Sequence, residues 1–284
     1  MEEPQRLSAR LLEDASALRS HILRTLHESW VTDSIFPHET WDGVASSSVM
    51  LLLGECVIAK ARGPEICIIL NKRSQRVRQA GDLCCPGGGV ETQLDPRLAK
   101  LIALPGFPMA AWPYWRSLRR EQPNEARLLS LMLATALREG WEEMRLNPFG
   151  TRFLGALPYQ RLVMFRIVIH PMVGWVTRQR RFVPSWEVEK IVRIPLRWLL
   201  DPEGYAVYRF HVPPHLEHRI NRGTQDFPCF LWRCRDEVER LWGATYKIVA
   251  LFMELVFGFK PPDPSTLPLV EGEMNEEYIN GRSE

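Results

Sequence analysis

The chain has 284 residues, 45% of them hydrophobic and 25% charged, a composition that suits one large globular domain or two small ones. Its net charge of +2 provides no strong field for DNA or an anionic membrane. The six cysteines are scattered apart from the adjacent pair Cys84 and Cys85, and no paired C-x-x-C spacing points to a zinc ribbon or a disulfide framework.

The start is acidic (Glu2, Glu3) and lacks a basic-then-apolar leader pattern. Apolar runs such as 49–53 fall far short of the about 20 residues that span a bilayer. A cytoplasmic protein with no membrane or nucleic-acid partner is the expectation.

Residues 7–30 read as one amphipathic helix, with Leu11, Leu12, Ala15, Leu18, Ile22 and Leu26 at helical spacing. The stretch 35–43, with Pro37 and Gly43, reads as a loop, so 1–44 forms a helix-and-loop extension ahead of the main domain. Two apolar, β-branched runs at 48–60 and 65–72 flank Arg62-Gly63-Pro64 and predict a strand pair. RSQRVRQAGDLCCPGGGVE follows, and its three glycines break any regular element. Residues 92–124 hold five prolines and look irregular, but Trp112, Tyr114 and Trp115 imply that this segment packs. A helix is predicted over 125–145, stopped by Asn147-Pro148. Strands are expected at 153–157, 163–170, 187–194, 205–211 and 229–234, a helical turn at 196–200 and an apolar helix at 241–257. From Lys260 the chain turns Pro-rich and then acidic and reads as a flexible tail (259–284). Strands and helices do not alternate strictly, so a mixed sheet with helices on both sides fits better than a doubly wound parallel sheet. The main domain then spans 45–258.

The 125–145 helix carries the chemistry. At about 100° per residue, Glu142 and Glu143 fall on either side of Glu139, within an arc of about 100°. Leu133, Leu137, Trp141 and Met144 fall opposite. Alone, this pattern is an ordinary solvated acidic face. Yet the preceding turns are apolar all round, and three carboxylates one turn apart repel one another. A hard dication would convert that repulsion into binding, with Arg138 orienting one carboxylate. The run Cys85-Pro86-Gly87-Gly88-Gly89-Val90-Glu91 lets backbone approach a phosphate or a helix. The basic residues Lys72, Arg73, Arg76 and Arg78 precede it. His170, His211, His215 and His218 match no metal-ligand spacing.

The glycine turn followed by Arg138-Glu139-Gly140-Trp141-Glu142-Glu143 resembles the Nudix hydrolase signature G-x5-E-x7-R-E-U-x-E-E-x-G-U, where U is aliphatic. With Gly88 as the first glycine, the spacing to Arg138 is some 36 residues longer than in that signature, which places an insertion at about 92–127. The middle glutamate has no evident counterpart. Ser130 stands at its counted position, with Glu91 and Glu125 near the junctions. Gly140 occupies an aliphatic position. Arg145 replaces the last glycine, which is compatible with a chain that avoids positive φ there and uses Asn147 as the cap. IILNKRSQRVRQAGDLCCPGG, SWEVEKIVRIPLRWLL and LWGATYKIVALFMEL are similar to segments of the family's coenzyme A pyrophosphatase branch, with Gln79, Asp82 and Cys85 replacing its usual His, Gln and Phe.

The resemblance implies an α+β fold, an α/β/α sandwich around a mixed sheet. It implies a hydrolase that uses Mg²⁺ or Mn²⁺ to cleave the diphosphate of coenzyme A or acyl-coenzyme A. The other readings are hydrolysis of another nucleoside diphosphate derivative and a non-hydrolytic nucleotide-binding module. Glu139, Glu142 and Arg138 would be catalytic. Glu139, Glu142, Glu143 and Gly88 would hold the metal, and Arg73, Arg78, Gly87, Gly88 and Gly89 the substrate. A homodimer is compatible with all three readings.

Overall fold

The computed structural model describes residues 3–32, 36, 45–58, 63–162, 166–212, 223–234, 237–273 and 278. Two helices replace the one expected at the start: α1 (Glu3–Glu13) and α2 (Ala15–Thr32). The break falls at Asp14, whose Oδ1 accepts the N–H groups of Ser16 at 2.8 Å and Ala17 at 3.0 Å and so caps α2. Apolar periodicity runs on through this point, which is why it conceals the break. The predicted loop at 35–43 lies outside the described residues apart from Phe36.

β1 (Ala45–Val57) and β2 (Pro64–Arg73) form the expected antiparallel pair, with Leu52 opposite Ile69. The short strands β3 (Leu83–Cys84) and β4 (Gly87–Gly89) follow. The segment expected to be irregular instead forms α3 (Asp95–Ile102) and α4 (Trp115–Glu121), and α5 (Pro123–Met144) starts directly after. Pro96 and Pro123 sit at the starts of α3 and α5, where a missing N–H costs nothing, and Pro105, Pro108 and Pro113 lie in the turns between α3 and α4. The aromatics of this segment pack inward: Trp112 stacks on Trp30 of α2 at 5.7 Å, and Trp30 Nε1 donates to Glu125 at 2.9 Å.

Next come β5 (Thr151–Ala156), β6 (Gln160–Leu162), β7 (Ile167–Val176), β8 (Val188–Pro195) and the turn α6 (Leu196–Leu199). Strands β1–β8 make one sheet in the order β3-β2-β1-β7-β5, with β4 on β1, β6 on β7 and β8 on β2. β1 and β7 run parallel while the other pairs are antiparallel, so the sheet is mixed. β9 (Tyr205–His211), β10 (Gln225–Cys234) and β11 (Glu237–Leu241) precede α7 (Gly243–Phe257), and β12 (Leu269–Glu273) is the last strand among the described residues. The last four strands form a second sheet, β11-β10-β9-β12. Part of the region read as a loose tail is therefore paired: β12 lies parallel to β9, from Leu269 opposite Val207 to Glu273 opposite His211. Composition did not reveal this because the strand obtains its hydrogen bonds from a partner about 60 residues earlier.

Strand alternation sorts the core into two layers. Leu51, Leu53, Ile66, Ile68 and Leu70 pack toward α2 and α7, while Met50, Leu52, Cys67 and Ile69 pack toward α5. With both faces covered, β1 and β2 read as near-continuous apolar runs. The fold is α+β, an α/β/α sandwich around a mixed sheet. No helix among the described residues is long and apolar enough to cross a membrane. All six cysteines are free.

His170 lies in this core on β7, only 3% exposed, and its Nδ1 finds no hydrogen-bond partner among the described residues. Burial pushes its imidazole down to about 4 from 6.5. The unfolded chain therefore takes up the proton first as pH falls. Stability is full above pH 6.5 and should erode by up to about 3 kcal/mol as pH drops toward 4. Denaturant titrations across this range should show that slope in the natural chain, and His170→Gln should flatten it.

Candidate active site

The triple-glycine bend and the last turns of α5 meet at the start of β1. β4 pairs with β1 through Ser47–Gly89, Ser48–Gly88 and Val49–Gly87, and Ser47 Oγ donates to the Gly88 carbonyl at 2.7 Å. A strand without side chains lets α5 lie directly on it. A Cβ on Gly88 would stand 2.3 Å from Glu139 Oε1, and one on Gly87 would stand 2.4 Å from the Ser48 carbonyl oxygen.

Arg138 is the hub. Its side chain is 8% exposed. Nε donates to Asp95 Oδ1 at 2.7 Å and Nη2 to Asp95 Oδ2 at 3.2 Å, a two-pronged pair. Nη1 reaches Glu142 Oε2 at 2.9 Å, and Nη2 reaches the Gly89 carbonyl and Glu139 Oε1, both at 3.0 Å. Asp95 Oδ2 also accepts Thr135 Oγ1 and the Glu91 N–H, each at 2.8 Å. Burial alone would raise the Asp95 carboxyl. The bonds from Arg138, Glu91 and Thr135 reverse this and hold it below the ordinary carboxylate range.

The sequence reading missed Asp95. It stands six residues after Gly89, the spacing G-x5-E prescribes if Gly89 rather than Gly88 is the first glycine and aspartate is accepted for glutamate. The residues weighed for that position are used otherwise. Ser130 bonds back to the Arg127 carbonyl within its own helix, Glu125 holds Trp30, and Glu91 is half-exposed with Oε2 3.9 Å from Arg138 Nε. The extra chain lies between Asp95 and Arg138, and the buried pair closes it into a loop.

The three carboxylates occupy unlike environments. Glu142 is 51% exposed. Glu139 is mostly buried against Gly88, and that burial raises its carboxyl while Arg138 opposes the rise. Glu143 is 9% exposed, accepts Asn71 Nδ2 at 2.7 Å, and is pushed up to about 8 by burial and then by Glu139. Its burial corrects the picture of one outward acidic face, as does Trp141, which is 48% exposed with the Arg145 guanidinium 5.3 Å from its ring centre. The chain also curls back over the helix end: Ser185 N–H donates to the Glu143 carbonyl at 2.7 Å and Val183 N–H to that of Met144 at 3.1 Å. Arg145 does take positive φ, at 54°, contrary to expectation. There it ends α5 with its N–H on the Trp141 carbonyl, while Leu146 N–H bonds Gly140, both at 3.0 Å. Asn147 caps the following 3₁₀ turn through Phe149 N–H rather than α5.

Gly87, Gly88 and Gly89 line the site. Arg73 and Arg78 stand apart, and neither makes an ion pair with the α5 carboxylates among the described residues. Arg73 Nε instead closes the β2–β3 loop on the Arg78 carbonyl at 2.7 Å. Asp82 accepts Trp242 Nε1 at 2.8 Å and the Tyr278 hydroxyl at 2.6 Å, and Gln79 N–H donates to the Tyr278 carbonyl at 2.7 Å. His211 lies on β9, away from His170 in the core, and His215 and His218 fall outside the described residues.

The donors suit a hard dication: three carboxylates, backbone carbonyls, and a buried Asn71 Oδ1 that has no hydrogen-bond partner. Among the described residues no three acidic, histidine or cysteine side chains already converge as a ligand set. Arg138 holds two of the carboxylates, so a cation would have to compete with that guanidinium.

No family model and no curated protein matches the chain. Solved structures show a partial overlap. A Nudix hydrolase from Alicyclobacillus acidocaldarius has a TM-score of 0.38 at 11% identity, covering 79% of this chain and 100% of that one. A C. elegans Ap4A hydrolase has a TM-score of 0.35 at 11% identity, covering 55% of this chain and 84% of that one. The NUDIX domain of Shewanella oneidensis NrtR, solved with ADP ribose, has a TM-score of 0.34 at 12% identity over 61% of this chain and 85% of that one. Overlap at this level carries no argument about the chemistry of this chain, which has to be read from its own residues.

Two substitutions test the geometry. Asp95→Ala should cost about 3–5 kcal/mol, because Arg138 would be left buried without its main partner. A urea midpoint unmoved by that change would show the pair to be idle. Gly88→Ala displaces only the flexible carboxylate end of Glu139, so stability should change by no more than about 1 kcal/mol. Mg²⁺ affinity, followed by calorimetry, should nevertheless fall.

Proposed function

We propose that the chain is a metal-dependent Nudix-type hydrolase that cleaves the diphosphate bond of a nucleoside diphosphate derivative, with coenzyme A or acyl-coenzyme A as its substrate. One observation supports this above the others: Glu139 and Glu143 lie against the glycine strand, and Arg138 is clamped between Glu139, Glu142 and Asp95. Glu139, Glu142 and Glu143, with backbone oxygen near Gly88, would hold Mg²⁺ or Mn²⁺. When bound, such a cation offsets charge on the diphosphate oxygens and lowers the pKa of a bound water.

The remaining work belongs to the chain. The exposed Gly89 leaves room for the diphosphate against bare backbone. Water adds to one phosphorus, the bridging P–O bond breaks, and the proton released by the water passes to a carboxylate. Glu139 suits that role, because burial raises its proton affinity while Arg138 keeps it aimed. Arg138 acts as a positioning residue. Arg73 and Arg78 are assigned to the substrate's outer phosphates. The products would be 3′,5′-ADP and 4′-phosphopantetheine or its acyl form.

A second reading is favoured by Asp82 and Gln79, which replace residues usual in the coenzyme A branch and are engaged by Trp242 and Tyr278. It takes another diphosphate, such as ADP-ribose, NADH or a dinucleoside polyphosphate. Incubation with Mg²⁺ or Mn²⁺ and this panel, with products resolved by chromatography, decides between them. Coenzyme A is expected to be cleaved, and cleavage of only the others selects the second reading. Silence across the panel, with nucleotide still bound, would make the chain a binding module. Glu142→Gln should lower turnover about a hundredfold or more with unchanged melting, since Glu142 is half-exposed.

A further inference from the structure

Strand alternation sends Asn71 toward α5 and its neighbour Lys72 to the opposite face of the sheet. There, between the end of β2, the loop after it and the second sheet, lies a cavity of about 420 Å³ whose wall includes Lys72, Gln75, Phe210, Arg240 and Tyr278. That volume lies in the range of small-molecule sites.

The charges in this wall are unevenly satisfied. Asp82, which also borders the cavity, has both oxygens engaged by Trp242 and Tyr278. Lys190 is shared between Glu237 and Glu239, each at 2.6 Å, while Lys72 stands farther off, 3.3 Å from Glu239 and 3.4 Å from Glu189. Arg240 has no ion pair among the described residues. Its guanidinium carbon sits 3.8 Å from the centre of the Tyr208 ring, and its Nε is buried without a hydrogen-bond partner. The stacked ring fixes the guanidinium at the cavity wall, where its terminal nitrogens are the ones placed to meet an oxyanion. Phe210 and Tyr278, with ring centres 5.4 Å apart, supply flat apolar wall beside it.

We propose that this cavity is a second small-molecule site, separate from the carboxylate–glycine site, and that it takes a phosphate monoester carried on a planar ring, as in a nucleoside monophosphate. Arg240 grips the phosphate, Lys72 and Gln75 meet its remaining oxygens, and the ring lies against Phe210 and Tyr278. A phosphate monoester fits better than a carboxylate because its nearly doubled negative charge can meet both cations of the wall, Arg240 and Lys72.

The test is calorimetric titration of the full chain with adenosine 5′-phosphate in the presence of a chelator, which removes any cation bridge to the carboxylates. The readout needs no turnover, so it stands whether or not the hydrolase reading holds. Saturable binding is expected, with adenosine at least about tenfold weaker and Arg240→Gln weakening adenosine 5′-phosphate by about tenfold or more, the loss of one charge-assisted hydrogen bond. Circular dichroism checks that the variant folds. If it does not, Arg240→Lys keeps the charge, loses the fork and should weaken binding in the same direction. No saturable binding, binding indifferent to Arg240, or adenosine binding as tightly as its phosphate would overturn the assignment.

Discussion

A buried guanidinium and a fully buried carboxylate, 43 residues apart in the chain, hold the candidate site together. Burying both charges is expensive, and their attraction together with the surrounding hydrogen bonds does little more than offset that cost. What the Arg138–Asp95 pair provides is placement. It ties the start of α3 to α5, closes the segment between them into a loop, and holds one guanidinium within reach of Glu139, Glu142 and the Gly89 carbonyl. Thr135 and the Glu91 N–H complete the acceptor capacity of Asp95, leaving no loose end in a dry place.

Around that pair the three glutamates are graded by burial. Glu142 stays in water, Glu139 leans on a glycine strand, and Glu143 sinks until Asn71 is its side-chain partner. Arg138 supplies positive charge to Glu139 and Glu142 of this cluster. A divalent cation would take over part of that role. This is why the same residues look self-satisfied here yet suit hard-metal chemistry.

The sheet divides the molecule chemically as well as structurally. Consecutive residues of β2 serve opposite faces, Asn71 the glutamate cluster and Lys72 the polar cavity. The second sheet builds the far wall of that cavity, and Trp242 and Tyr278 lock the loop between β2 and β3 across it. The loop that resembles a substrate-binding element is thus shared between two environments.

The strand pair β1–β2, the long helix α5 and the mixed sheet were all legible in the sequence. Each rests on local periodicity or on residues close together, as Arg138 to Glu143 are. The break at Asp14, the helices α3 and α4, and the strands β11 and β12 were not legible, because a cap, a packed aromatic or a distant partner strand decides them. Asp95 shows the boundary best. Its type and its spacing from Gly89 are plain in the chain, but only folding brings it to Arg138 across the inserted residues. Local chemistry in the sequence determined which groups could act. Long-range packing decided which of them meet, how deeply each carboxylate is buried, and hence which protons and charges each can hold.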